Sequence, residues 1–163
     1  MADLEIKGLE GLDAALRGVK GEARKFINSA TLASANVIKK DAVQKLQSNF
    51  DVSANTAKKG LRVKKTDQGR TTVTYSLGVH PKFFYLWFLE NGAAPHEIKA
   101  RLLKGKAVLA DKESGKKFGV KVAHPGVQPR PFIRPAFDEG KDKAAQKFSD
   151  VIWKRIEKAW RAK

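Results

Sequence analysis

From Leu9 to Val37 the apolar residues Leu9, Leu12, Leu16, Val19, Ala23, Phe26, Ala30, Ala33 and Val37 step by three and four without a miss. That spacing lays one apolar stripe along a helix. Gly18 and Gly21 interrupt it, and each glycine costs a helix about 1 kcal/mol relative to alanine. The pattern predicts a short helix over Leu9–Gly18 and a long, Ala-rich one over Glu22–Ser48. The glycines and the shortness of the run favour a packed surface helix over a coiled coil.

The pattern then changes. Asp51–Gly60 is polar, with Asn, Ser and Gly, and is predicted to be a loop. Leu61–Val63 and Thr71–Val79 read as strands joined through Thr66–Arg70. In the second strand Val73, Tyr75, Leu77 and Val79 take one face, and Thr72, Thr74 and Ser76 the other. Phe83–Leu89 is too short for periodicity to choose between helix and strand. Glu97–Leu103, Ala107–Ala110 and Gly119–Ala123 are predicted strands separated by basic loops. Four of the six prolines lie between Pro125 and Pro135, which makes that segment an extended arm. Pro135 suits the first position of a last helix over 136–161. Its stripe is Ala145, Phe148, Ile152, Ile156 and Ala159; Asp138 and Glu139 suit its start, and Lys158, Arg161 and Lys163 its end.

These elements predict an α+β fold, an antiparallel sheet flanked by a long N-terminal and a C-terminal helix. A chain of 163 residues fits a single domain, 1–163. Within it, 9–48 is helical, 60–124 sheet and loops, 125–135 the arm and 136–161 the last helix. A chain this long buries about 70% of its unfolded surface, so its core needs no metal or disulfide. Having no cysteine, it has no disulfide, thiolate nucleophile or cysteine-bound zinc. The N-terminus carries no apolar signal core, and no apolar run is long enough for a bilayer. No membrane partner is expected.

Lys and Arg number 33 against 17 Asp and Glu, a formal charge of +16. Such a field draws polyanions, nucleic acid first among them, or an acidic protein. Lys58, Lys59, Lys64, Lys65, Lys104, Lys106, Lys116 and Lys117 flank the predicted strands. At one edge of a sheet they would form a basic rim facing DNA non-specifically or an acidic partner; solvated loops are the plain alternative.

No Walker loop, dinucleotide glycine pattern or G-x-S-x-G elbow is present. His80, His96 and His124 lack ligand spacing, and loop packing explains them better than a metal. Glu97-Ile98-Lys99 matches half of a restriction-type nuclease signature, in which the acid binds magnesium and the lysine assists the attacking water. Its missing half is an acidic residue on a preceding strand, and Asp67, in a turn, is only a candidate for it. The density of the aromatic run Phe83–Phe88 suits core or subunit interface better than a base-stacking platform.

Three segments together resemble the small tail-component family of long-tailed bacteriophages, the tail-completion and neck proteins. The first is Leu9-x-x-Leu12-x-x-x-Leu16 with the long Ala-rich helix behind it. The second is Trp87-Phe88-Leu89-Glu90-Asn91-Gly92 followed by His96, similar to the family's aromatic–Glu–x–Gly turn. The third is the run from His124-Pro125-Gly126 through Gln128, Pro129, Arg130, Pro131, Phe132, Ile133, Arg134 and Pro135 to Phe137, similar to its HPG…QPFLRPA signature. Arg130 is an insertion relative to that signature, and the approach to Leu61 lacks the family's Pro-x-x-Thr-Gly. The resemblance implies a structural protein of the virion, made in the host cytoplasm, with no enzyme activity, cofactor, metal or catalytic residue. It implies a ring of identical subunits, six in number, at the head-proximal end of the tail. Its neighbours would be the tail terminator, tail tube and head connector, with DNA passing through. Trp87, Phe88, Glu90, Gly92, His124, Pro125, Gly126, Pro129, Pro131, Phe132, Arg134 and Pro135 become the motif residues. The alternative is a DNA-binding protein or a magnesium-dependent nuclease using Glu97-Ile98-Lys99.

Overall fold

The computed structural model describes residues 2–4, 22–68, 72–100, 109–110 and 114–161. The helix expected over Leu9–Gly18, and Lys104 and Lys106, lie outside the described residues. The fold is α+β, and the chain divides into two compact units. The first takes the chain up to Leu86 and again from Pro131 onward; the second is Trp87–Arg130.

Helix α1 (Ala23–Asn49) of the first unit matches the predicted long helix to within one residue at each end. Its buried face differs from the predicted stripe. After Ala30 burial passes through Thr31, Ser34, Ala35, Ile38, Ala42, Val43 and Leu46, while Ala33 and Val37 are half-exposed. Two hydroxyls enter the core because each bonds within the helix. Thr31 Oγ1 donates to Ile27 O at 2.9 Å and Ser34 Oγ to Ala30 O at 3.0 Å. An apolar-only stripe could not anticipate them.

The loop expected over Asp51–Gly60 is instead mostly a second helix, α2 (Ala54–Gly60). Ser53 caps it, its hydroxyl accepting from the Thr56 N–H at 3.2 Å. Ala57 is fully buried, and a Cβ on Gly60 would collide with Leu86 Cδ1. The residues read as turn formers are thus the cap and the tightly packed end of a helix.

Strand β1 (Ala2–Leu4) pairs with β3 (Val73–Val79), which pairs with β2 (Leu61–Gln68), all antiparallel and in the order β1-β3-β2. Leu61 faces Val79 and Lys64 faces Ser76, with a bulge between Lys65 and Asp67. β2 runs to Gln68, past the predicted start of the hairpin loop. Val73 and Leu77 are buried as the alternation requires, but so is Ser76, whose Oγ lies 3.1 Å from Thr66 Oγ1.

The last helix, α4, spans Ile133–Arg161 and starts three residues earlier than predicted. Pro135 is therefore inside its first turn and not at its first position, and the arm ends before Ile133. A proline is tolerated there because the first N–H groups of a helix have no intrahelical partner. Buried Ile133, Ala136, Gly140, Ala144, Phe148 and Ile152 form its inner stripe; the predicted Ala145 is exposed, one residue out of phase. α4 runs antiparallel to α1. Arg155 lies over the Phe26 ring, Gly140 faces Ile38, and Lys45 pairs with Glu139 at 2.8 Å. Phe26, Ile27, Ala30, Val73, Phe148 and Ile152 make one core cluster from two helices and the sheet. Phe132 is wholly buried with its ring edge-to-face on Phe50, centroids 6.3 Å apart.

The aromatic run is helical. His80 Nδ1 accepts from the Lys82 N–H at 3.2 Å and caps a 3₁₀ turn at Pro81–Phe83, which leads into α3 (Tyr85–Asn91). In the second unit β4 (His96–Lys99) pairs with β7 (Lys121–His124), and β5 (Leu109–Ala110) with β6 (Lys117–Gly119).

A candidate interface built where two motifs meet

Two glycines let the two motifs of the second unit close on each other. Gly92, with φ +73°, ends α3, and Gly126, with φ +86°, ends the His-Pro-Gly turn. A Cβ on Gly92 would lie 2.8 Å from Val127 O and 3.0 Å from Pro129 Cδ. One on Gly126 would run into Ala93 O. Both positions need glycine twice over, for the left-handed backbone and for the close approach. Between them Ala93 and Val127 exchange both backbone hydrogen bonds at 2.9 Å.

Arg130 extends the closure. Its N–H donates to Leu89 O at 2.8 Å, while its side chain stands exposed. Arg130 thus helps close the bracket through its backbone. The His124 ring holds the turn from within, since its Nδ1 accepts the Gly126 N–H at 3.0 Å. That is the physical content of the His-Pro-Gly sequence. The side chain satisfies a turn donor, Pro125 fixes φ, and glycine permits the contact with Ala93.

The closure also brings His96 and His124 together, which their separation in sequence hid. They are register partners on β4 and β7, with rings stacked 5.0 Å apart at 27°. Their hydrogen bonds argue against a two-histidine metal clamp. His96 Nδ1 lies 2.9 Å from Ala94 O and so carries the proton, leaving Nε2 as the lone pair. His124 Nδ1 is an acceptor, so neutral His124 carries its proton on Nε2 and offers that atom no lone pair. Among the described residues no three of His, Asp and Glu gather as a metal-holding group. His80 is the cap of the 3₁₀ turn.

Glu97 sits on β4, partly exposed, 3.1 Å from Lys121 Nζ and 3.5 Å from Lys99 Nζ. Lys99, the lysine of the nuclease tripeptide, is itself one of its counter-ions. Asp67, the acid weighed as its partner, lies on β2 in the other unit and accepts from Thr72 Oγ1 at 3.4 Å.

Comparisons with family models, with curated proteins and with solved structures returned no match.

Around the bracket, apolar side chains face solvent. Trp87 is 53% and Phe88 38% exposed, their rings edge-to-face at 5.4 Å. Ile98, Phe118 and Val120 of the same unit are exposed as well. Between the two aromatics and the turn, Glu90 and Gly92 are buried. The motif residues therefore divide. Trp87 and Phe88 present apolar surface, Gly92, His124, Pro125, Gly126 and Pro129 build the bracket, and Glu90 lies inside. Pro131, Phe132, Arg134 and Pro135 belong to the other unit. There Phe132 is core, Pro131 and Arg134 are exposed, and Pro135 is in the first turn of α4.

The expected basic loops are mostly not loops. Lys58 and Lys59 occupy the last turn of α2, Lys64 and Lys65 lie on β2, and Lys117 opens β6. Lys116 Nζ stands 5.6 Å over the Phe118 ring. The first four belong to one unit and the last two to the other. Sequence reasoning passed over Arg62 and Lys82, although both stand beside residues it selected.

Proposed function

We propose that this chain is a structural subunit of a tailed-phage virion, a tail-completion or neck component that closes into a ring with copies of itself at the head-proximal end of the tail. The observation that supports this reading best is the bracket. Two short segments, each resembling a motif of the small tail-component family, meet through Gly92, Ala93, Gly126 and Val127, and the helix that ends there turns Trp87 and Phe88 to solvent. A backbone fixed this firmly under an exposed aromatic pair suits a surface made to be covered. Head-to-tail contacts around a cyclic axis would cover it in every subunit.

The test has two arms. Light scattering and negative-stain imaging of the concentrated protein should show closed rings or their partial arcs. A phage deleted for the gene should accumulate separate heads and tails. Infectious particles at normal yield from the deletion strain would end this reading.

A further inference from the structure

The first unit gathers cations at one end of its hairpin. α2 runs directly into β2, so Lys58 and Lys59 lie three and two residues before Leu61, whose pairing with Val79 closes that end of the ladder. Arg62 and Lys64 follow on β2, which lies at the edge of the β1-β3-β2 sheet. Lys82 returns to the same end, because His80 N–H donates to Gly60 O at 2.7 Å. All five are exposed and none makes an ion pair with a described residue. From Val52 to Thr66 the sequence has no acid.

We infer that this end of the hairpin binds the phosphate backbone of nucleic acid without reading its sequence. Local burial fixes the arrangement. Ala57, Gly60 and Leu61 are buried, which turns Lys58, Lys59 and Arg62 outward. Arg62 and Lys64 share a strand face and so repeat about every 6.7 Å, a row of charges along an edge. The helix C-terminus holds Lys58 and Lys59 in a favourable field.

An acidic protein partner fits less well. Protein interfaces deplete lysine from their cores and bury apolar anchors there, whereas nucleic-acid interfaces are polar and strongly cationic. Phe84 and Tyr85 stand exposed in the same unit, two and three residues past Lys82, and nucleic acid accepts such aromatic surface by stacking. Four of the five cations are lysines, point charges suited to phosphate, and Arg62 alone carries a planar guanidinium that could read a guanine edge, so contact is mainly to phosphate and nearly insensitive to sequence.

The experiment is fluorescence anisotropy of a short labelled duplex, titrated with the full chain over a series of potassium chloride concentrations. Two duplexes of unrelated sequence should bind alike, with log K falling linearly in log salt. The quadruple variant K58Q/K59Q/R62Q/K64Q should lose about tenfold or more in affinity at moderate salt, and its salt slope should shrink by about 3–4. A control variant, K141Q/K143Q/K147Q/K154Q, removes the same charge from the exposed side of α4 and should change affinity by less than about threefold. Circular dichroism confirms that both variants fold. Equal losses in the two variants would reduce the effect to net charge and overturn the inference. So would absence of duplex binding, or polyglutamate competing as well as DNA. Duplex binding to this surface does not require the ring, so failure here leaves the ring reading standing, and failure of the ring leaves this surface standing.

Discussion

Single atoms decide several positions in this chain. Gly126 is one: any side chain there meets Ala93 O while its backbone is forced into the left-handed region. We expect Gly126→Ala to strip protection from the Ala93 and Val127 amides in hydrogen exchange, because those two residues exchange the bonds that the turn permits. Protection equal to the parent's would show that the bracket does not depend on this glycine. Phe132 is the other. It is wholly buried, and removal of such a ring costs about 3–5 kcal/mol, a large share of a domain's stability. Phe132→Ala should therefore lower the melting temperature of the isolated chain by several degrees or more. An unchanged melt would contradict packing within its own subunit.

Elements were legible in the sequence where one periodicity ran long, and obscured where side chains served two purposes. α1 could be read to within a residue at each end because no glycine or proline interrupts 22–49, although its buried face departs from the apolar stripe after Ala30. Its buried hydroxyls, Thr31 and Ser34, could not, since their burial depends on bonds to their own helix. The short α2 was hidden because Ser53 and Gly60, ordinary turn residues, act as its cap and its packed end. In the candidate interface Gly92, His124 and Gly126 were singled out only by resemblance, and their role in the bracket shows only in the fold. The cross-strand stack of His96 on His124 was not, because pairing partners far apart in sequence leave no local signal. The contact between α1 and α4 offers a test at this scale. A Cβ at Gly140 would lie 2.9 Å from Ile38 Cδ1 and 3.1 Å from Asp41 Oδ2. Gly140→Ala gains about 1 kcal/mol of helix propensity and needs the flexible ends of Ile38 and Asp41 to give way, so we expect stability within about 1 kcal/mol of the parent. Gly140→Leu must push the helices apart and should cost about 1–3 kcal/mol. A denaturant titration that finds both equally harmful would show that the helices cannot shift at all.

For the whole molecule, surface and stability are separable. Trp87 is mostly exposed, so Trp87→Ser should leave the melting temperature of the monomer within about 1–2 °C while abolishing ring closure in light scattering. Rings formed normally by that variant would remove the aromatic face from the assembly. The reciprocal bonds of Ala93 and Val127 also pinch off everything between them. Within that stretch β5 pairs with β6 and so ties the ends of the segment between them, and the entropy of lengthening a tied segment grows only with the logarithm of its length, about 0.6 kcal/mol for each doubling. Gly115 sits in an exposed turn with nothing within 4 Å of where its side chain would be. A peptide tag spliced between Ser114 and Gly115 should therefore leave the melting temperature almost unchanged, and this tip of the second unit can vary in length and composition while the helices and sheet of the first stay as they are.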